Sequence, residues 1–181
     1  RQEFASEYVA KSIMSNGQYR GKYYLSTPLG RPLIAKIAAK IAPEYGCTAV
    51  AHGCTGKGND QVRLDAGIIA LDPGLKIIAP VRVWDLGRTE EIAYAQQHGI
   101  EVPVTSESPY SHDTNLWGNT SEGAEIEHPE KCPRFEKALG WCTPPEKAPD
   151  KGETVTVGFD QGLPVSLNGE TLSLMDLIGR L

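Results

Sequence analysis

The sequence predicts an α/β protein whose parallel-sheet layer is followed by the start of an antiparallel α+β region. Three observations predict it. Helical and strand patterns alternate over the first two-thirds of the 181 residues, as in a parallel sheet with right-handed crossovers. Prolines then become frequent and periodicity fades from Pro103 to Pro149. The tail returns to short strands around Asn168-Gly169, the strongest short-range hairpin signal. The change of character falls near residues 103–110, which divides the chain into 1–105 and 106–181.

The elements follow in order. RQEFASEYVAKSIM reads as a helix with Phe4, Tyr8, Val9 and Ile13 on one face. RPLIAKIAAKIAPEYG is a second helix with Leu33, Ile34, Ile37 and Ile41 turned inward, Pro32 in its first turn and Gly46 just past its end. TAVA (48–51) is a short apolar strand, a glycine-rich loop comes next, and DQVRLDAGIIAL is a helix. KIIAP (76–80) is a second strand. Thr89 caps TEEIAYAQQHG, with acidic residues in the first turn and Gly99 at the exit. VPVT (102–105) is a third strand. SESPYSHDTNLWGNTSEGAEIEHPEKCPRF reads as a long polar loop region. Tyr110, Trp117 and Trp141 favour an ordered surface there over a free linker. ETVTVGF sets Val155, Val157 and Phe159 on one face, LPVSLNGETLSL forms a hairpin, and Ser173 caps the closing helix with Asp176 in the box position. Residue 1 is Arg and both ends lie in helical patterns, so the chain reads as an internal piece of a longer protein.

Bulk properties narrow the function classes. A hydrophobic content of 40% with 23% charge is that of an ordinary soluble globular chain. The net charge of −5 argues against a nucleic-acid surface. No apolar run approaches the ~20 residues needed to span a bilayer, and no signal-peptide pattern indicates secretion. Cys47, Cys54, Cys132 and Cys142 form no CxxC pair and read as free thiols. Cys47, His52 and Cys54 lack a second ligand pair at zinc-finger spacing, so no metal site is expected.

The stretch AHGCTGKGNDQVRLD (51–65) carries the most chemistry. Gly53, Gly56 and Gly58 allow positive φ and a close approach of backbone to ligand. The loop follows a strand and opens a helix, at the carboxyl end of a parallel sheet, where ligands bind in open α/β folds and where free helix N–H groups favour an anion. Neither standard phosphate signature fits. GxxxxGK[ST] fails because the fifth and sixth residues after Gly53 are Gly58 and Asn59, and GxGxxG fails at Gln61. Asn59, Asp60 and Arg63 lie within one helical turn. Arg63 can clamp a carboxylate, Asp60 can accept from an ammonium, and Asn59 can do both. This set suits an amino-acid ligand beside a nucleotide. The bland alternative is a glycine turn, with Asn59 or Asp60 capping a helix of solvated charges. His52, beside the loop, has two readings, contact with nucleotide or core packing, of which core packing is preferred, and His98 reads as a favourable charge at a helix C-terminus.

HGCTGKGNDQVR, with GKYYLSTPLGRPLIAK upstream and PYSHDTNLWGNTSEG downstream, resembles the argininosuccinate synthase family. KIIAPVRVWDL, QQHGI and GLPVSLNGETLS extend the resemblance essentially end to end. It implies an ATP-pyrophosphatase-type (adenine nucleotide alpha hydrolase-like) nucleotide-binding domain, present in part, followed by the start of an α+β synthetase domain. The implied activity is that of a cytoplasmic, homotetrameric ligase of arginine biosynthesis and the urea cycle. It joins L-citrulline to L-aspartate through a citrullyl-adenylate, releasing AMP and pyrophosphate, with Mg2+-ATP as substrate and no tightly bound cofactor. Carried over by motif position, Gly53, Thr55 and Asp113 bind ATP. Thr55, Asn59 and Asp60 bind aspartate. Tyr23, Asn59, Arg63, Ser111, Thr120 and Glu122 bind citrulline. Asn59, Asp60 and Arg63 position the reactants.

The chain departs from the family pattern in places. Members commonly show TSLARP where Thr27-Pro28-Leu29-Gly30-Arg31-Pro32 stands, so Pro28 replaces a citrulline-binding serine and Thr27 offers a hydroxyl instead. Thr120 keeps the hydroxyl of a serine. The family's SGGLDTS-type pyrophosphate loop, a later glutamate and tyrosine, and the assembly helix are not among these 181 residues, so this piece alone is expected to be inactive. Another ATP-pyrophosphatase-type ligase is the first rival, and GKGNDQVR argues against it. A non-catalytic truncated chain is the second, with an unpaired sheet edge prone to aggregation.

Overall fold

A computed structural model describes residues 1–84, 86–102 and 110–181, with the backbone alone at Arg88 and Thr89. The elements are α1 (Gln2–Phe4), a π-helical turn (Ala5–Val9), α2 (Ala10–Met14), α3 (Arg31–Glu44), β1 (Ala49–Ala51), α4 (Asp60–Leu71), β2 (Lys76–Ile78), α5 (Pro80–Trp84) and α6 (Arg88–Gln97). They continue with β3 (Ser111–Asn115), β4 (Gly118–Glu122), α7 (Phe135–Ala138), β5 (Val157–Asp160), β6 (Leu163–Leu167), β7 (Glu170–Thr171) and α8 (Leu174–Arg180). Two compact units result. One is Arg31–Thr105, and the other joins Arg1–Gly30 to Ser106–Leu181. The expected strand at 102–105 lies, Val102 apart, outside the described residues. Among the described residues no helix is long and apolar enough to cross a membrane.

In the unit Arg31–Thr105, β1 and β2 pair in parallel, with Ala49, Val50 and Ala51 opposite Lys76, Ile77 and Ile78. The His52 N–H donates to the Ile78 carbonyl at 3.0 Å, so the ladder carries the chain to the first residue of the glycine loop. Helix α3 starts at Arg31 and is left through Gly46 at φ +68, as its Pro and Gly signals predict. Its expected inward face is corrected. Ile34, Ile37 and Ile41 are exposed, and Ala35, Ala39 and Ala42 are buried with Leu64, Ile68 and Leu75. The cause is the partner. A Cβ on Gly67 of α4 would stand 2.7 Å from the Ala35 Cβ, so the helices meet across small residues and the isoleucines are left on the other side. The expected Thr89 cap is also corrected, since α6 starts at Arg88 with Gly87 in the cap position.

In the other unit the opening helix contains a π turn, and its buried stripe runs through Phe4, Ala5, Val9 and Ala10. Helix α8 packs on β6 and against that turn, and the two contribute the fully buried Leu177 and Val9. Asn168 and Gly169 both take positive φ, +49 and +85, and close the β6–β7 hairpin in the manner of a type I′ turn. Ser173 caps α8, its hydroxyl accepting the Asp176 N–H at 3.2 Å. The expected alternation through Val155, Val157 and Phe159 does not hold. The strand starts at Val157, its register shifts between Gly158 and Phe159, and Val155 and Phe159 are exposed. The stretch read as polar loop contains an antiparallel hairpin, β3–β4. Asn115 Oδ1 closes its turn by accepting the N–H groups of Trp117 and Gly118 at 2.8 and 3.2 Å. Buried Tyr110 braces the hairpin's start, donating to Glu125 at 2.7 Å and accepting the Arg134 N–H at 3.0 Å.

The α3–α4 seam gives a direct test. Gly67→Ala gains about 1 kcal/mol of helix propensity, but it forces the helices apart at a cost of about 1–3 kcal/mol. A net loss near 1 kcal/mol is expected, read as a lower denaturant midpoint at unchanged slope. A raised midpoint would show that Ala35 yields freely.

Candidate active site

The glycine loop leaves the carboxyl end of β1 and enters α4 at Asp60. Gly53, Gly56 and Gly58 are not among the positive-φ residues, which corrects one expected use of them. What they provide is room: no atom lies within 4 Å of a Cβ placed on Gly53. Thr55 and Asn59 are exposed along the loop. Asn59 occupies the cap position of α4 without making a side-chain cap bond, so its amide is not spent on the helix.

Asp60 is held in a two-arginine clamp. Arg31 Nε and Nη2 donate to Oδ2 at 2.8 and 2.6 Å, and Arg63 Nη1 donates to Oδ1 at 2.8 Å. The pattern reading missed Arg31. It opens α3 just before Pro32, but nothing in the spacing marks a partner 29 residues on. Five residues along α4, Asp65 is held the same way, by Arg82 Nη1 at 2.6 Å and His52 Nε2 at 2.7 Å. Burial alone would raise both carboxyls. The hydrogen bonds and charges of Arg31 and Arg63 at Asp60, and the hydrogen bonds of Arg82 and His52 with the charge of Arg82 at Asp65, outweigh it and hold both below the ordinary carboxylate value. The Cys54 thiol moves the other way, pushed up by burial and by the charges of Asp60 and Asp65.

A second set of expected site residues lies in the other unit. In the β3–β4 register Ser111 faces Glu122 and Asp113 faces Thr120, and cross-strand partners project to the same side of a sheet. Four expected ligand-binding residues therefore share one hairpin face. Asn115 of the same face donates to the Ser26 carbonyl at 2.7 Å, tying the hairpin to the segment before α3. There the buried Thr27 hydroxyl lies 3.4 Å from the Tyr23 hydroxyl and 3.5 Å from that of Thr120. The structure thus brings Tyr23, Thr27 and Thr120 together, with Thr27 directly before Pro28. Gly53, Thr55, Asn59, Asp60 and Arg63 form the other cluster, in the unit Arg31–Thr105.

The clamps fix the sign of a pH effect. A carboxyl whose folded value lies below its unfolded value of about 3.9 stabilises the fold above that pH and loses the contribution as pH falls through the folded value. Stability is expected to fall on acidification below about pH 4, and Asp60→Asn with Asp65→Asn is expected to flatten that acid limb. An unchanged acid limb in the double variant would remove both clamps from the account.

Comparison with known proteins adds the relatives. The family model "Arginosuccinate synthase N-terminal HUP domain" matches residues 1–101, and "Arginosuccinate synthase C-terminal domain" matches residues 110–181. The argininosuccinate synthase of Symbiobacterium thermophilum is 53% identical over the whole chain. Those of Rubrobacter xylanophilus and Streptococcus suis are 52% and 49% identical, again over the whole chain. The chain spans 44–45% of the length of these relatives. The fold is accordingly a HUP-type α/β domain followed by the C-terminal synthase domain. This chain belongs to the argininosuccinate synthase family.

Proposed function

We propose that this chain serves the ATP-dependent ligation of L-citrulline and L-aspartate to argininosuccinate in arginine biosynthesis. The observation that supports it most is the hairpin face carrying Ser111, Asp113, Thr120 and Glu122, with the Thr27 hydroxyl reached from Thr120 and the Tyr23 hydroxyl reached from Thr27. In the first step the citrulline ureido oxygen attacks the α-phosphorus of ATP. The bond to the β-phosphate oxygen breaks and pyrophosphate leaves. In the second step the aspartate amine attacks the ureido carbon, and the C–O bond to AMP breaks.

The chain's residues act by positioning and charge stabilisation. Gly53, Thr55 and Asp113 lie against ATP, which carries Mg2+. Thr55, Asn59 and Asp60 take aspartate. Asp60 retains acceptor capacity for an ammonium beyond its two arginine partners, since each carboxylate oxygen has two lone pairs. Tyr23, Asn59, Arg63, Ser111, Thr120 and Glu122 take citrulline, and Thr27 replaces the hydroxyl that Pro28 removes. The domain division at 105/106, a cytoplasmic homotetramer and a place in the urea cycle belong to the same proposal. So does the expectation that residues 1–181, spanning 45% of a relative's length, are inactive alone.

The test is pyrophosphate release, in residues 1–181 and in a chain of the relatives' length. The longer chain is expected to release pyrophosphate only with citrulline present. Release without citrulline, or none at all, overturns the ligase reading. Thr27→Val is expected to raise the citrulline KM about 3–10-fold, one hydrogen bond's worth, with kcat nearly unchanged. An unchanged KM removes Thr27 from the site.

A further inference from the structure

We propose that His52 is a positioning residue for the glycine loop, and that Asp65 and Arg82 hold its ring for that purpose. Its role in nucleotide binding rests on the loop facing ATP, as proposed above. His52 ends the parallel ladder, and its side chain is only 9% exposed. The Cys54 backbone N–H donates to Nδ1 at 3.2 Å, so Nδ1 carries no proton. The ring proton is therefore on Nε2, which donates to Asp65 Oδ1 at 2.7 Å. Both ring nitrogens are thus used, one on the loop backbone and one on a carboxylate that fixes the ring.

The chain of bonds continues to a second anchor. Arg82 Nη1 donates to Asp65 Oδ2 at 2.6 Å and to Gln61 Oε1 at 2.9 Å. Gln61 Nε2 then donates to the Gly56 carbonyl at 2.7 Å. One guanidinium nitrogen on α5 therefore secures the loop at two backbone points, the Cys54 amide and the Gly56 carbonyl. A glycine-rich segment has the most conformational freedom to lose, and fixing it before ligand arrives removes that cost from binding. Core packing, the preferred sequence reading of His52, needs neither nitrogen.

Two substitutions separate the ring's two jobs. In His52→Asn the side-chain oxygen takes the place of Nδ1 and keeps the acceptor for Cys54. In His52→Gln the amide reaches toward Asp65 and leaves the Cys54 N–H without a partner. Amide exchange in the 181-residue chain is expected to leave Cys54 as slow as wild type in His52→Asn and roughly tenfold faster in His52→Gln. Arg82→Met, which releases both anchors, is expected to speed Cys54 as well and serves if a His52 variant fails to fold. Equal exchange at Cys54 in all variants overturns the proposal. Calorimetric titration with ATP, in a chain of the relatives' length, reads the functional half. His52→Gln is expected to weaken ATP binding roughly tenfold with its thermal midpoint kept, and His52→Asn to restore it. An ATP affinity indifferent to His52→Gln overturns the nucleotide role. In a chain of the relatives' length, the expected exchange pattern without ATP binding supports loop positioning and sinks the nucleotide reading instead.

Discussion

The close approach of α3 and α4 at Ala35 and Gly67 is the constraint on which the unit Arg31–Thr105 depends. Small residues on both helices let their axes come near, and the first residues of the two helices then meet as Arg31 and Asp60. A bulkier seam would part that pair. The same seam leaves Leu64 and Ile68 to close the core over β1 and β2. Helix packing and site electrostatics are therefore one problem here, solved by the absence of side-chain volume at one position.

Helix α4 carries two carboxylates, and each is flanked by cationic or hydrogen-bond-donating groups from elsewhere in the same unit. Asp60 joins the starts of α3 and α4, and Asp65 joins the end of β1 to α5. Between them they fix both flanks of the glycine loop. Half-buried carboxylates are costly unless they are paired and hydrogen-bonded, and both are here. Asp60 also sits in the first turn of its helix, where the macrodipole favours a negative charge.

Much of the fold was legible wherever a local signal and the tertiary environment agreed. DQVRLDAGIIAL forms α4 from Asp60 to Leu71, Asn168-Gly169 makes the hairpin turn, and Ser173 caps α8. The failures share a cause. Ile34, Ile37 and Ile41 look like a core face because they are large, yet what decides the seam is a glycine on another helix. SHDTN and GNTSE pair as strands although they are polar and poor in β-formers, because their register is fixed by the Asn115 turn and its bond to Ser26. The candidate site was legible as a string of unusual residues, but the partners were not. Arg31 with Asp60, His52 with Asp65, and Thr27 with Thr120 lie 29, 13 and 93 residues apart, beyond any local pattern.

The placement of Cys54 has a chemical consequence. Thiols react with oxidants and electrophiles as thiolates, and this one is partly buried beside two carboxylates that keep it protonated. Cys47, Cys132 and Cys142 are exposed. Oxidative damage would therefore fall first on the three exposed sulfurs rather than on the one in the glycine loop.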